Sequence, residues 1–173
     1  MPQERAEAFD FWGPKTLIGP QLKPGDQAPE FSLINGKGET VTSQSFAGQP
    51  MLISVVPSLE TGVCSTQTRR FDKELASYAG QVALVTVSAD LPFTQNRWVN
   101  AEGVENQTVL SDHRDMSFGD AYGTHVKELR LDSRAVFVIG KDGTVRYAEY
   151  VPNGGNEPNY QAALAAVKEA TAS

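Results

Sequence analysis

The sequence predicts an α/β fold in which a mixed central β-sheet is flanked by helices. The first observation is a nearly continuous apolar, β-branched run over residues 51–56, which is typical of a strand covered on both faces. The second is a change of period after Cys64, where Phe71, Leu75 and Tyr78 lie near one face of a helix. The third is Asp142-Gly143 between two apolar runs, a strong β-hairpin signal. Together these patterns indicate a layered sheet with covering helices.

The N-terminal region predicts a small β-hairpin. Residues 8–12 and 16–18 have the composition of two short strands, joined by a turn at Gly13-Pro14. Turn residues over 22–25 end this unit, and residues 30–33 predict one further short strand. We therefore assign residues 1–20 to an N-terminal hairpin extension.

The remaining elements alternate between strands and helices. Strands are predicted over residues 82–87, 109–110, 135–139 and 145–151, and helices after Cys64 and over residues 93–101, 116–122 and 157–172. Two strand–helix–strand units followed by a hairpin and a last helix match the thioredoxin fold. We expect residues 1–173 to form a single thioredoxin-fold domain that includes the hairpin extension.

Composition and charge exclude several functions. The chain has 173 residues, of which 40% are hydrophobic and 21% charged, as is ordinary for a soluble globular protein. A net charge of −6 argues against a nucleic-acid partner and against an anionic membrane surface. The first ten residues contain no apolar run, so no signal peptide is predicted, and the single cysteine is compatible with a reducing compartment. We expect a soluble protein of the cytoplasm.

The only cysteine, Cys64, follows the buried strand over 51–56 and precedes a helix. In α/β sheets, functional sites gather at the carboxyl ends of strands. A thiol at a helix N-terminus is near the positive end of the helix dipole, which favours the reactive thiolate. A lone cysteine in a soluble chain is more often only a small buried apolar residue. The placement of Cys64 and the residues before it favour the reactive interpretation.

Pro57, Thr61 and Cys64 form the pattern P-x-x-x-T-x-x-C. The run Pro57-Ser-Leu-Glu-Thr-Gly-Val-Cys64 is followed by Gln67-Thr-Arg-Arg-Phe71, and later by Ser-Ala-Asp-Leu-Pro-Phe at 88–93 and Ser-Arg-Ala-Val at 133–136. With these motifs the chain resembles the bacterial thiol peroxidase branch of the peroxiredoxin family over nearly its whole length.

The resemblance implies a function and a set of site residues. It implies a thiol-dependent peroxidase in which Cys64 attacks the O–O bond of hydrogen peroxide or an organic hydroperoxide and becomes a sulfenic acid. Thr61 and Arg134 would complete the pocket, and Pro57 would shield it. The family usually works as a homodimer that is recycled by thioredoxin.

One position departs from the family pattern. The resolving cysteine that this branch usually carries after the 88–93 motif is replaced by Val99, which cannot form a disulfide. A sulfenic acid must then react with an external thiol, either a small molecule or a thioredoxin-like protein. The missing cysteine keeps a second interpretation open, in which the protein is a peroxide sensor that passes oxidation to a partner without efficient turnover.

Each further site residue also has a purely structural interpretation. Thr61 is a suitable N-cap, Arg134 at a strand edge is ordinarily solvated, and Pro57 ends a strand because it cannot donate to a sheet ladder. The functional alternatives are a hydroxyl that accepts a proton from the peroxide, and a cation that holds the thiolate and the leaving oxygen. For Gln67 the sequence leaves helix surface and pocket-side donor open.

No cofactor is predicted. His113 and His125 are far apart in sequence and are expected in loops, and neither belongs to a pattern typical of metal sites. The glycines lack the spacing of a phosphate-binding loop. The sequence argues against a dithiol exchanger, because that chemistry needs C-x-x-C and the residues here are Cys64-Ser-Thr-Gln.

Overall fold

The computed structural model describes residues 3–172. The strands are β1 Glu4–Asp10, β2 Pro14–Ile18, β3 Ser32–Ile34, β4 Thr40–Thr42, β5 Met51–Val55, β6 Ala83–Ser88, β7 Thr108–Ser111, β8 His125–Val126, β9 Leu131–Asp132, β10 Ala135–Ile139 and β11 Val145–Tyr150. The α-helices are α1 Gly62–Glu74, α2 Pro92–Glu102, α3 Ser117–Tyr122 and α4 Tyr160–Ala172. Two 3₁₀ helices span Ser43–Phe46 and Ala76–Tyr78.

The main sheet has seven strands in the order β11-β10-β5-β6-β7-β3-β4. β5, β6 and β7 are parallel to one another, whereas β10 and β3 run antiparallel to their neighbours, so the sheet is mixed. The predicted α/β class with a mixed central sheet is confirmed. The carboxyl ends of β5 and β6 lie side by side, because Val55 pairs with Val87 in register.

The two faces of the sheet bury different side chains because successive residues of a strand point to opposite sides. On one face Ile53 and Val55 of β5 pack in a cluster that includes Phe118 and Tyr122 of α3. On the other face Leu52 packs with Phe71 of α1 and with the buried stripe of α4. All five residues of β5 are buried, as the apolar run predicts.

A second sheet of four strands, in the order β1-β2-β8-β9, contains the N-terminal hairpin. The hairpin prediction located the element but misplaced its first strand, which begins at Glu4 and ends at Asp10 rather than spanning 8–12. Strands β4, β8 and β9 were not predicted, because each contains a single apolar residue, too few to show an alternation. His125, expected in a loop, lies in β8.

A buried pair of acids, Asp112 and Asp132, joins the two sheets. Asp112 accepts from the backbone N–H groups of Phe118 (3.1 Å) and Gly119 (2.9 Å) at the start of α3. Asp132 in β9 accepts from the hydroxyl of Thr124 at 2.8 Å. Burial, reinforced by the charge of Asp112, raises the pKa of Asp132 well above its ordinary value. Asp132 therefore retains its proton in the folded protein over a pH range in which the unfolded chain has lost it.

This pair predicts a specific dependence of stability on pH. Because the folded-state pKa of Asp132 is raised, its contribution to stability is complete below about pH 4 and is lost as the pH rises. The side chain of the variant Asp132→Asn has nearly the same shape and is neutral at every pH. We compare the free energy of unfolding of this variant with that of the native protein. The difference, variant minus native, should increase as the pH rises from 4 to 8, by roughly 1.4 kcal/mol for each pH unit over which Asp132 stays protonated in the folded protein. Urea unfolding at pH 4, 6 and 8 measures this difference, and a difference independent of pH would contradict the prediction.

Candidate active site

The candidate site lies where the chain leaves the carboxyl end of β5 and enters α1. The N–H of Val56 still bonds to the carbonyl of Val87 at 3.0 Å, but the following Pro57 has no N–H to donate, and the ladder ends there. Pro57 is buried, and residues 58–61 lead directly into α1. The local sequence thus places Cys64 in the first turn of a helix at the sheet edge.

Asp90 fixes the conformation of the segment before Cys64. Its carboxylate accepts from the hydroxyl of Ser58 at 2.7 Å and from the N–H of Leu59 at 2.8 Å. The hydroxyl of Ser88 donates to the same carboxylate at 2.8 Å. Sequence reasoning did not assign Asp90 to the site, although its position just after β6, the neighbour of β5, was a usable signal.

Cys64 is fully buried, with 0% of its surface exposed. On one side it packs in an apolar cluster with Val56, Leu59, Trp98 and Val104. The first backbone hydrogen bond of α1 runs from the N–H of Ser65 to the carbonyl of Thr61 at 3.0 Å. The N–H of Cys64 therefore belongs to the first helical turn, whose N–H groups have no partner within the helix. The apolar side by itself would leave an inert thiol, which makes the other side of the sulfur decisive.

Arg134 occupies that other side. Its Nη2 donates to Sγ of Cys64 at 3.3 Å, although the two residues are 70 positions apart in the chain. The arginine is only 1% exposed, which overturns the structural expectation of a solvated residue at a strand edge. Nε and Nη2 both donate to the carbonyl of Gly154, at 3.2 and 2.7 Å. A buried cation held by neutral oxygens is a strong stabiliser of an anion on the adjacent sulfur.

Gln67 is the residue whose role the sequence left open. It is fully buried, and its Oε1 accepts from Nη1 of Arg134 at 3.0 Å. Its Nε2 donates to the hydroxyl of Ser54 at 2.8 Å. Because one turn of α1 separates residues 64 and 67, the helix presents the sulfur and this acceptor to the same guanidinium. Gln67 is therefore neither a surface residue nor a donor to the pocket, but an acceptor for Arg134.

Thr61 is at the N-cap position of α1, but its side chain does not cap the helix. Its hydroxyl donates to the carbonyl of Ser58 at 3.2 Å instead. This hydrogen bond uses the proton of the hydroxyl, so the lone pairs of its oxygen can accept a hydrogen bond from another group. The geometry is compatible with a hydroxyl that accepts a hydrogen bond from a peroxide.

An open groove lies beside the buried sulfur. Leu59 and Trp98, two members of the cluster around Cys64, line this groove together with Thr61 and Ser65. Val99, at the position of the missing resolving cysteine, packs against the same cluster from α2. The groove therefore adjoins the apolar cluster that buries Cys64.

Comparison with known proteins shows the family to which the chain belongs. Residues 23–164 match the redoxin family model. A thiol peroxidase from Listeria innocua is 52% identical over 157 residues, which cover 91% of this chain and 94% of the relative. A thiol peroxidase from Bacillus subtilis is 50% identical over 156 residues, covering 90% and 93% of the two chains.

Solved structures support the fold. A peroxiredoxin-like protein from Aquifex aeolicus superposes with a TM-score of 0.83 at 36% identity, over 91% of this chain and 92% of that chain. The thiol peroxidase from Chromobacterium violaceum has a TM-score of 0.82 at 23% identity, over 90% and 91% of the two chains, and supports the fold. The thioredoxin-fold prediction is confirmed. The chain belongs to the redoxin family, in its bacterial thiol peroxidase branch.

The arrangement around Arg134 predicts that Gln67 controls the reactivity of Cys64. Gln67→Met preserves the length of the side chain but removes the acceptor for Nη1. A hydrogen bond to a buried charged group contributes about 1.5–3 kcal/mol, so alkylation of Cys64 by iodoacetamide should slow by about tenfold to a hundredfold at pH 7.

The matched control is Gln95→Met. Gln95 is also buried, and its amide donates to Ser88 and to the carbonyl of Leu110, but to neither Arg134 nor Cys64. Equal slowing in both variants would show that loss of any buried amide is sufficient, and would contradict a specific role for Gln67.

Proposed function

We propose that this chain is a thiol-dependent peroxidase that reduces hydrogen peroxide and organic hydroperoxides with Cys64 as the nucleophile. The observation that carries the proposal is the contact of 3.3 Å between Nη2 of the buried Arg134 and Sγ of Cys64. The thiol peroxidases at 52% and 50% identity support the same activity.

The first step oxidises the sulfur and splits the peroxide. The thiolate of Cys64 attacks the terminal oxygen of ROOH, so that an S–O bond forms and the O–O bond breaks. Cys64 becomes a sulfenic acid, and RO⁻ takes up a proton and leaves as an alcohol, or as water when the substrate is hydrogen peroxide. Two electrons pass from the sulfur to the peroxide.

The surrounding groups stabilise this reaction in different ways. The guanidinium of Arg134 holds the thiolate and stabilises the charge that develops on the leaving oxygen. The hydroxyl of Thr61 accepts a hydrogen bond from the bound peroxide, and Pro57, which is buried at the end of β5, limits access of water. Asp90 supports the segment between Pro57 and Thr61 through Ser58 and Leu59.

The second half of the cycle requires external thiols, because the sequence contains one cysteine. A thiol R′SH attacks the sulfenic acid, giving a mixed disulfide at Cys64 and water. A second thiol attacks that disulfide, restores Cys64 and leaves R′S–SR′. The reductant in this proposal is a thioredoxin-like protein or a small thiol.

Assembly and location form part of the proposal. We expect a homodimer in the cytoplasm, on the family resemblance and on the single cysteine. Among residues 3–172, no helix is long and apolar enough to cross a membrane. The sensor alternative gains no support from the relatives, which are named thiol peroxidases.

Peroxide turnover is the direct test of the activity. The native protein should consume hydrogen peroxide continuously with dithiothreitol or with a thioredoxin system, whereas Cys64→Ser should consume none. Thr61→Val keeps the shape of the side chain and removes the hydroxyl, and should lower kcat/KM by about fivefold to tenfold, because one hydrogen bond contributes about 1–1.5 kcal/mol. A single stoichiometric burst by the native protein under both reductants would contradict turnover. Full activity of Thr61→Val would remove Thr61 from the mechanism.

The substitution at position 99 gives a separate prediction about recycling. Val99→Cys adds a thiol on α2 beside the Cys64 cluster, and oxidation should then give an intramolecular disulfide and slower inactivation at high peroxide. Asn100→Cys is the control, since the exposed next position on α2 adds a thiol that points away from the cluster. Peptide mass spectrometry after one equivalent of peroxide identifies the disulfide. Equal peroxide tolerance of the native protein and Val99→Cys would show that the missing cysteine does not limit resolution.

A further inference from the structure

The N-terminal hairpin contacts a loop near the other end of the chain. This loop, residues 151–156, is here called the Gly154 loop. The N–H of Asp10 donates to the carbonyl of Pro152 at 2.7 Å, and the N–H of Gly154 donates to the carbonyl of Asp10 at 2.9 Å. Asp10 therefore pairs with this loop as a short parallel strand would. The hairpin itself precedes residues 23–164, which match the family model.

Side chains of the hairpin close over Gly154. A Cβ atom at Gly154 would lie 2.4 Å from Cδ1 of Phe11 and 3.1 Å from Cζ of Phe9. Phe9 is 1% exposed and stacks on Phe11, with 5.8 Å between the ring centroids. Two aromatic rings thus press directly on the backbone of Gly154, and only glycine leaves room for them.

The carbonyl of the same glycine holds Arg134. It accepts from Nη2 at 2.7 Å and from Nε at 3.2 Å, and the same Nη2 donates to the sulfur of Cys64 at 3.3 Å. The start of the loop is also tied to Arg134, because the N–H of Val151 donates to the Arg134 carbonyl at 3.0 Å. One residue, Gly154, therefore connects the hairpin to the guanidinium that faces the nucleophile.

We propose that the N-terminal hairpin is a positioning element for the active site, which sets the place of Arg134 relative to Cys64 by fixing the carbonyl of Gly154. Phe9, Phe11 and Asp10 act through Gly154, and none of them touches the sulfur in this role. The proposal rests on the proposed function only in taking Cys64 as the reacting group.

A displaced carbonyl has a direct consequence at the sulfur. The guanidinium is planar, so a shift of the acceptor for Nε and Nη2 rotates or translates the whole fork, including the Nη2–Sγ contact. Gln67 holds Nη1 from the opposite side at 3.0 Å and limits how the fork can readjust. Misplacement by about 1 Å is enough to cost about a hundredfold in reactions that depend on alignment.

The test uses Gly154→Ala, whose methyl group collides with Phe11. Alkylation of Cys64 by iodoacetamide should slow by about tenfold at pH 7, and the pH midpoint of alkylation should move upward, because the thiolate loses its cation. Single-turnover oxidation of Cys64 by hydrogen peroxide should slow by a similar factor. The double variant Gly154→Ala/Phe11→Ala removes the nearer of the two rings that the methyl meets, and its rates should equal those of Phe11→Ala alone.

Gly155→Ala is the matched control. It adds the same methyl one residue later, where a Cβ meets only the side-chain oxygen of Asn153 at 3.2 Å, and it should keep the native rates and midpoint. Native alkylation and oxidation in Gly154→Ala, equal loss in Gly155→Ala, or a double variant slower than Phe11→Ala alone would each overturn the proposal. If Gly154→Ala does not fold, Phe11→Ala alone must raise the alkylation midpoint relative to the native protein, and an unchanged midpoint would overturn the proposal.

The alkylation assay separates this proposal from the peroxidase proposal. It contains no peroxide and reports only on Cys64, the one cysteine of the chain. Absence of peroxide turnover in the native protein would refute the proposed function, whereas the variants would still decide the role of the hairpin. Native turnover with an unchanged alkylation midpoint in Gly154→Ala would refute the hairpin role alone.

Discussion

The contact between the buried guanidinium of Arg134 and the sulfur of Cys64 is the interaction on which the site depends. A cation with 1% of its surface exposed must satisfy its N–H groups inside the protein. The carbonyl of Gly154 and the amide oxygen of Gln67 satisfy part of this requirement without cancelling the charge. The sulfur of Cys64 is a further acceptor, so the buried cation faces the atom that reacts as a thiolate.

This arrangement resolves a conflict that burial creates. A thiol enclosed by Leu59, Trp98 and other apolar side chains is protected from water, but the same environment disfavours the charged form that reacts. Arg134 supplies the opposing charge from one direction only. The sulfur therefore has an apolar side, whose residues Leu59 and Trp98 also line the groove, and a side that contacts the guanidinium of Arg134. A reaction that moves negative charge onto a leaving oxygen requires a cation beside the reacting atoms.

Much of the fold was predictable because its signals are local. The apolar run that forms β5, the apolar stripe of α4 and the Asp142-Gly143 turn each depend on residues close together in sequence, and β10 was predicted with its observed bounds. The errors have a common cause. Strands of two or three residues, such as β8 and β9, are defined by their partners rather than by their own sequence, and β8 exists because β2 pairs with it.

The sequence by itself determined the fold class, the placement of Cys64 at a strand end and helix start, and the family resemblance, because these follow from short-range patterns and motif spacing. Only the tertiary structure decided that Arg134 is buried, that Gln67 accepts from it, and that the hairpin reaches Gly154. Residues 64, 134 and 154 are far apart in the chain, and no period or spacing links them. Their contact exists because β10 lies beside β5 and the chain after β11 returns to meet the hairpin, so packing across the whole molecule brings them together.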